Sequence, residues 1–212
     1  VLRTSFSKKP HIIIDCGHGG SDSGAVGLHN TVEKDLTLAL GKQLGNELKR
    51  QGFTVVFTRS TDEFVALDER TFKANQLCDD SILISLHANK CSKPEVHGLE
   101  TFCLASNLFT RKMTGLETAI DVMLQAYDDQ RYQQSKLLAK SVHRQILKTV
   151  KEKGFDLPDR KVRHAATQML MGIKWPGILI ETDYLSNPAA AAQLKNSDFQ
   201  KILAHAICQG IK

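Results

Sequence analysis

Aromatic side chains are scarce in this chain, at 6% of 212 residues, so the stacking surface expected of a single-strand nucleic-acid binder is missing. The 28 lysines and arginines leave a net charge of only +5 and are scattered along the chain, so no basic recognition helix stands out and no nucleic-acid partner is expected. A modest positive bias suits contact with an anionic polymer, or simply solubility. No run approaches the roughly 18 apolar residues of a membrane span. The start at Val1 carries no signal-peptide pattern, so the leader of an exported protein would already have been removed. The five cysteines, Cys16, Cys78, Cys91, Cys103 and Cys208, have neither an even count nor any Cys-x-x-Cys spacing. That argues against a disulfide framework and a thiolate zinc site. Repeats, low-complexity tracts and linker-like stretches are also lacking, and a hydrophobic content of 42% is enough for one α/β domain of this length.

Three short apolar runs carry the most information. Ile12-Ile13-Ile14 leads through Asp15 to His18, Ile82-Leu83-Ile84 leads through Ser85 to His87, and Ile178-Leu179-Ile180 is followed at once by Glu181. Such runs read as strands buried on both faces, as in a parallel sheet covered by helices. Apolar residues at Val32, Leu36, Leu40, Leu44 and Leu48 make 32–51 an amphipathic helix, and Phe53 to Thr58 again reads extended, which completes a βαβ pattern. Further helices are expected at 67–78, 131–152 and 188–211, the last broken near Asn196. Further strands are expected at 98–104 and 167–171. The result is a single-domain α/β fold with a mostly parallel twisted sheet of about six strands flanked by helices. Residues 1–9 form an N-terminal extension, 10–212 the domain, and 106–130 an insertion helical in composition.

Parallel strands carry a site at their common carboxyl edge, so two imidazoles and a carboxylate should converge there. His18 and His87 each follow a buried strand, whereas His11 begins its strand on the opposite edge, and His143 and His205 fall in helices. His29 competes from the same loop as His18, with His97 and His164 as weaker competitors. Glu33 has two readings. Asn30-x-x-Glu33 fits a capping box, but the helix it opens follows the first strand, so its carboxylate can also turn toward His18. Two imidazoles and one carboxylate make a catalytic zinc set that leaves a position for water. Glu181 then reads as a general base and acid, with an ion pair to a residue such as Lys174 as the alternative.

The stretches Ile14-Asp15-Cys16-Gly17-His18-Gly19-Gly20, Val32-Glu33-Lys34-Asp35, Ser85-Leu86-His87-Ala88-Asn89, and Ile180-Glu181 with Leu185-Ser186-Asn187 resemble the zinc-dependent N-acetylmuramoyl-L-alanine amidases of the cell-division and autolysin type. The resemblance spans about residues 10 to 211. It implies hydrolysis of the amide between the lactyl group of N-acetylmuramic acid and L-alanine of the peptidoglycan stem. By the same resemblance His18, Glu33 and His87 bind one zinc ion and Glu181 is catalytic. Arg59, Arg70, Asn75 and Asn89 match recurrent family positions, and Arg70 and Asn75 read mainly as fixers of helix and sheet. The expected setting is the bacterial cell envelope, periplasmic or extracellular, with peptidoglycan or a muropeptide as substrate. The protein would act as a monomer, with room for a protein activator.

Two departures from the family pattern stand out. Asp183-Tyr184 replaces a Gly-Phe pair, and Asp183 is expected to accept a hydrogen bond from the neighbouring turn. The 106–130 insertion falls where some division amidases carry a self-inhibitory helix. Three rivals remain open: a non-catalytic wall-binding module, another zinc hydrolase, and a serine acyl-enzyme of the penicillin-binding kind built on Ser5-Phe6-Ser7-Lys8.

Overall fold

The computed structural model describes residues 9–77, 80–104 and 119–212. In chain order the elements are β1 His11–Cys16, a 3-10 turn Leu28–Asn30, α1 Glu33–Arg50, β2 Val55–Phe57, α2 Leu67–Asn75, β3 Ser81–Asn89, β4 Leu99–Cys103, α3 Ala119–Glu152, β5 Asp159–His164, α4 Gln168–Gly172, β6 Gly177–Tyr184, α5 Pro188–Lys195 and α6 Ser197–Ile211. The six strands form one sheet in the order β2-β1-β3-β6-β4-β5. Strands β2, β1, β3 and β6 run parallel, and β4 is antiparallel to β6 and parallel to β5.

Strand alternation sorts the apolar runs onto two unequal layers. Ile12, Ile14, Ile82, Ile84, Ile178 and Ile180 face a large core with Leu44 and Leu48 of α1, Val142 and Ile146 of α3, and Leu203 and Ile207 of α6. Ile13, Leu83 and Leu179 face a smaller core with Ala74 of α2 and Met169 and Leu170 of α4. Among the described residues this smaller layer is formed mainly by two short helices. The same alternation carries Asp15, Ser85, His87 and Glu181 onto this thinly covered face, at the carboxyl ends of β1, β3 and β6. The chain leaves β1 for β2 on one side and returns to β3 on the other. The crevice between the carboxyl ends of β1 and β3 is therefore the sheet's switch point, where open α/β sheets place their ligands.

Two expectations of the sequence need correction. Residues 167–171 are not a strand: the Thr167 side chain accepts from the Leu170 amide and starts the short helix α4. The strand in this region is β5, whose Asp-Arg-Lys-Val-Arg-His sequence has one apolar residue. It lies on the sheet edge and so lacks the apolar run by which buried strands are recognised. Of the 106–130 segment, residues 119–130 are the first turns of α3, which starts well before the expected 131. Residues 106–118, Ser5 and Cys78 lie outside the described residues.

Helix α1 sits close on the sheet because glycines face it. A Cβ at Gly41 would stand 2.3 Å from the buried Cys16 sulfur. Gly41→Val is therefore expected to lower stability by about 1–3 kcal/mol through overpacking. Chemical denaturation measures this, and an unchanged midpoint would mean that α1 does not sit this close to β1.

Candidate active site

The loop after β1 is gripped from beneath by two buried arginines. Arg59 donates through Nε to the Cys16 carbonyl at 2.9 Å and through Nη2 to the carbonyls of Gly17 and Lys34 at 2.9 and 2.8 Å. Arg70 donates to the carbonyls of Cys16 and His18 at 2.7 and 2.6 Å and to Asp15 Oδ1 at 2.9 Å. Asp15 also accepts from the hydroxyls of Thr58 and Ser85, each at 2.7 Å. Burial works against its charge. The Arg70 guanidinium and the Thr58 and Ser85 hydroxyls nevertheless hold the Asp15 carboxyl below the usual 3.8. Clamped in this way, the loop turns through His18 in the left-handed region, at φ 62°.

Glu33 is 4% exposed and is the first residue of α1, where the helix dipole favours a carboxylate. It is not part of a capping box: Val32 holds the N-cap without a side-chain hydrogen bond, and Asn30 lies in the preceding 3-10 turn at φ 53°. The Glu33 carboxylate turns inward instead. Its Oε2 accepts from the Ala25 amide at 2.8 Å and lies 3.1 Å from His18 Nε2. Its Oε1 accepts from the Ala88 amide at 3.0 Å and lies 2.9 Å from His87 Nδ1. Burial opposes ionisation of Glu33, but hydrogen bonds from His18 and His87 hold its carboxyl well below the ordinary range. On the far side of His18, Nδ1 meets Asp22 Oδ2 at 2.8 Å. The two imidazoles pack edge to face, with ring centroids 5.1 Å apart.

One donor atom each from His18, Glu33 and His87 lies within 4.8 Å of the others, the one such group among the described residues able to hold a metal ion. A zinc ion about 2.0–2.2 Å from each of three ligands needs them roughly 3.3–3.6 Å apart, and the two imidazole nitrogens lie 3.1 and 2.9 Å from the Glu33 oxygens. Glycines make this approach possible. A Cβ at Gly17 would strike the His87 ring at 2.4 Å, and one at Gly24 would lie 2.5 Å from the His18 ring and 2.6 Å from Glu33 Oε2. The remaining candidates do not join the cluster. His11 opens β1 at the opposite end, His97 lies 3.9 Å from Asp156, and His205 lies 3.2 Å from Glu47. His143 is buried between Thr101 and Asp159, and His164 stands at the end of β5 against the Cys103 sulfur. The His29 side chain lies outside the described residues.

Glu181 is the cross-strand partner of His87 on β3 and of Glu100 on β4. Its Oε2 is buried without a hydrogen-bond partner. It forms no ion pair among the described residues, and Lys174 lies instead over the Trp175 ring. Burial pushes the Glu181 carboxyl up to about 7, opposed by His87 and assisted by the negative charges of Glu33 and Glu100. Asp183 accepts from the first residue of the neighbouring turn, as expected: the Asn187 amide closes that turn on the Tyr184 carbonyl, and the Tyr184 amide donates to Asp183. A bulge in the β3–β6 ladder sets it apart from Glu181, and its Oδ1 accepts from the Gly98 and Tyr184 amides at 2.7 and 2.8 Å. Asn75 ties α2 to the end of α4, donating to the Gly172 carbonyl and accepting from the Lys174 amide. Asn89 donates to Glu100. The sequence reading passed over Asp22 and Glu100. The only signal for Asp22 was an acidic residue four positions after His18 in a glycine-rich loop, and Glu100 is recognised only through the β4–β6 register.

The buried Asp15–Arg70 pair gives a direct test. Removing one charge leaves the other uncompensated, so Asp15→Asn is expected to cost about 3–5 kcal/mol at neutral pH. Because the folded-state pKa of Asp15 is depressed, its contribution is full above the unfolded value and is lost as pH falls through the folded one. The gap between wild type and variant, measured by denaturation, should therefore narrow in acid below about 4.

Solved structures share this architecture. The chain superimposes on N-acetylmuramoyl-L-alanine amidase AmiC2 of Nostoc punctiforme with a TM-score of 0.78 at 30% identity, covering 96% of each chain. The catalytic domain of CwlV, an N-acetylmuramoyl-L-alanine amidase from Bacillus (Paenibacillus) polymyxa var. colistinus, gives 0.76 at 29% identity, covering 95% of this chain and 96% of that one. Among curated proteins, the Escherichia coli N-acetylmuramoyl-L-alanine amidase AmiA is 28% identical over 216 residues, which span 94% of this chain and 74% of that protein. The model of the N-acetylmuramoyl-L-alanine amidase family matches residues 12–212, and the chain belongs to that family.

Proposed function

We propose that the protein hydrolyses the amide between the lactyl group of N-acetylmuramic acid and the L-alanine of the peptidoglycan stem, with His18, Glu33 and His87 holding one zinc ion and Glu181 as general base and acid. The observation that carries this reading is the convergence of those three donor groups at the carboxyl edge of the sheet, one strand from a carboxylate whose Oε2 is buried without a partner among the described residues, in a chain of the amidase family. When bound, zinc supplies the Lewis acidity that polarises the amide carbonyl and makes water a better nucleophile.

The protein's own groups do the rest. Asp22 fixes the tautomer and orientation of His18 from its far nitrogen, as metal-binding histidines generally require. The Ala25 and Ala88 amides hold both Glu33 oxygens in place. Glu181 takes a proton from the attacking water and returns it to the leaving alanine nitrogen. A carboxyl raised by burial is suited to both transfers near neutrality. The substrate polymer lies outside the cytoplasm, so the envelope is the proposed site of action, with residues 10–212 as one catalytic domain. Among the described residues no helix is long and apolar enough to cross a membrane.

Digestion of purified peptidoglycan, with and without a chelator, followed by mass analysis tests the reaction. Release of unmodified stem peptides beginning at L-alanine, lost with chelator and restored by zinc, is the expected result. Glu181→Gln should retain zinc but lose about 10²–10⁴-fold in turnover. In the wild type, kcat/KM should rise with pH along an acid limb at or below about 7, since burial raises the Glu181 carboxyl and a bound cation lowers it. Asp22→Asn should bind zinc about 10–100-fold more weakly in a competitive-chelator titration.

A further inference from the structure

One row of charged side chains crosses the sheet on the site's face. His87 on β3 pairs with Glu181 on β6, and Glu181 pairs with Glu100 on β4. Beyond β4 lies β5 with two arginines. Glu100 is 3% exposed and fully engaged. Its Oε2 accepts from Tyr184 Oη at 2.7 Å and Asn89 Nδ2 at 3.1 Å, and its Oε1 faces Arg163 Nε at 3.3 Å and Arg160 Nε at 3.5 Å. Two guanidinium groups thus share one carboxylate oxygen, so neither has a carboxylate to itself there.

The two arginines differ in what remains available. Arg160 lies over the Tyr184 ring, 5.0 Å from its centroid, and is occupied there. Among the described residues Arg163 is held through Nε, by Glu100 and by the Arg160 carbonyl at 3.2 Å. Its two terminal nitrogens have no partner among the described residues, and its side chain is 53% exposed. A guanidinium anchored at Nε with a free terminal fork is preorganised to take a carboxylate in two parallel hydrogen bonds.

We infer that Arg163, seated by Glu100, is a specificity residue that binds a free carboxylate on the stem peptide beyond the scissile amide. The inference rests on the amidase reading and goes past it by naming a feature of the substrate. Neighbouring strands lie about 4.8 Å apart, so β5 is roughly 10 Å from β6. An extended peptide advances about 3.3–3.6 Å per residue, which places the recognised carboxylate within about three residues of the cleaved bond. The substrate class is an acidic stem, and a stem amidated at that position loses the contact.

The test uses two synthetic lactyl-L-alanyl peptides that differ only in carrying a free carboxylate or a carboxamide on the residues after alanine. Each is assayed with wild type, Arg163→Gln and Arg163→Lys, all checked for folding by thermal denaturation. Amidation and Arg163→Gln should each lower kcat/KM by about 10–100-fold, mainly through KM, and the two losses should not add. Arg163→Lys, which keeps the charge without the fork, should fall between. Equal losses for Arg163→Gln on both substrates, or no loss on the acidic one, would overturn the assignment. If wild type cleaves neither peptide, the amidase reading fails separately. Titration of the acidic peptide into wild type and Arg163→Gln then decides the subsite: weaker binding to the variant supports it, and equal binding refutes it.

Discussion

The site depends on a buried ion pair beneath it. Asp15 and Arg70 come from β1 and α2, and Arg70, held by Asp15, joins Arg59 in donating to the carbonyls of residues 16, 17 and 18. Those carbonyls point toward the two guanidinium groups, and without such partners each would be a costly acceptor to bury. The arginines remove that cost and fix the imidazole at the same time. Breaking the pair would leave a charge stranded in the core and release the loop that aims His18 at Glu33. Stability and site geometry are therefore set by the same few hydrogen bonds.

The unequal cover of the sheet explains why the site is accessible. Among the described residues three long helices seal one face, while the short helices α2 and α4 shield the other. Asp15, Ser85, His87 and Glu181, at the carboxyl ends of β1, β3 and β6, fall on the lightly covered face, because a period of two continues from Ile13 to Asp15, from Leu83 to His87 and from Leu179 to Glu181. A shift of one residue in any of these strands would have buried the imidazole or the carboxylate under α1 and α6.

Much of this was legible in the sequence. Buried parallel strands announce themselves as apolar runs, which is why β1, β3 and β6 could be read directly, and with them the edge on which His18, His87 and Glu181 gather. The sheet's edge could not be read in this way. β5 has no apolar run and is the last strand of the sheet among the described residues, and the apolar Met169-Leu170-Met171 that looked like a strand is a helix started by Thr167. The Glu33 pattern was compatible with both a cap and an inward carboxylate, and only the observed position of the N-cap at Val32 separates them. Contacts between distant segments, such as Asp22 with His18 or Glu100 with Arg163, depend on loop path and strand register, which local spacing does not encode.

The two rims of the sheet are protected in different ways. At one end β2 has only three residues, too short a template for another strand. At the other, β5 is studded with charges, and Lys161 at φ 80° breaks the regular line of its backbone. A polypeptide looking for an open row of amides and carbonyls would meet a stub on one border and a kinked, electrically hostile ribbon on the other. Stacking edge against edge into aggregates is thereby discouraged, even though the interior strands are rich in isoleucine.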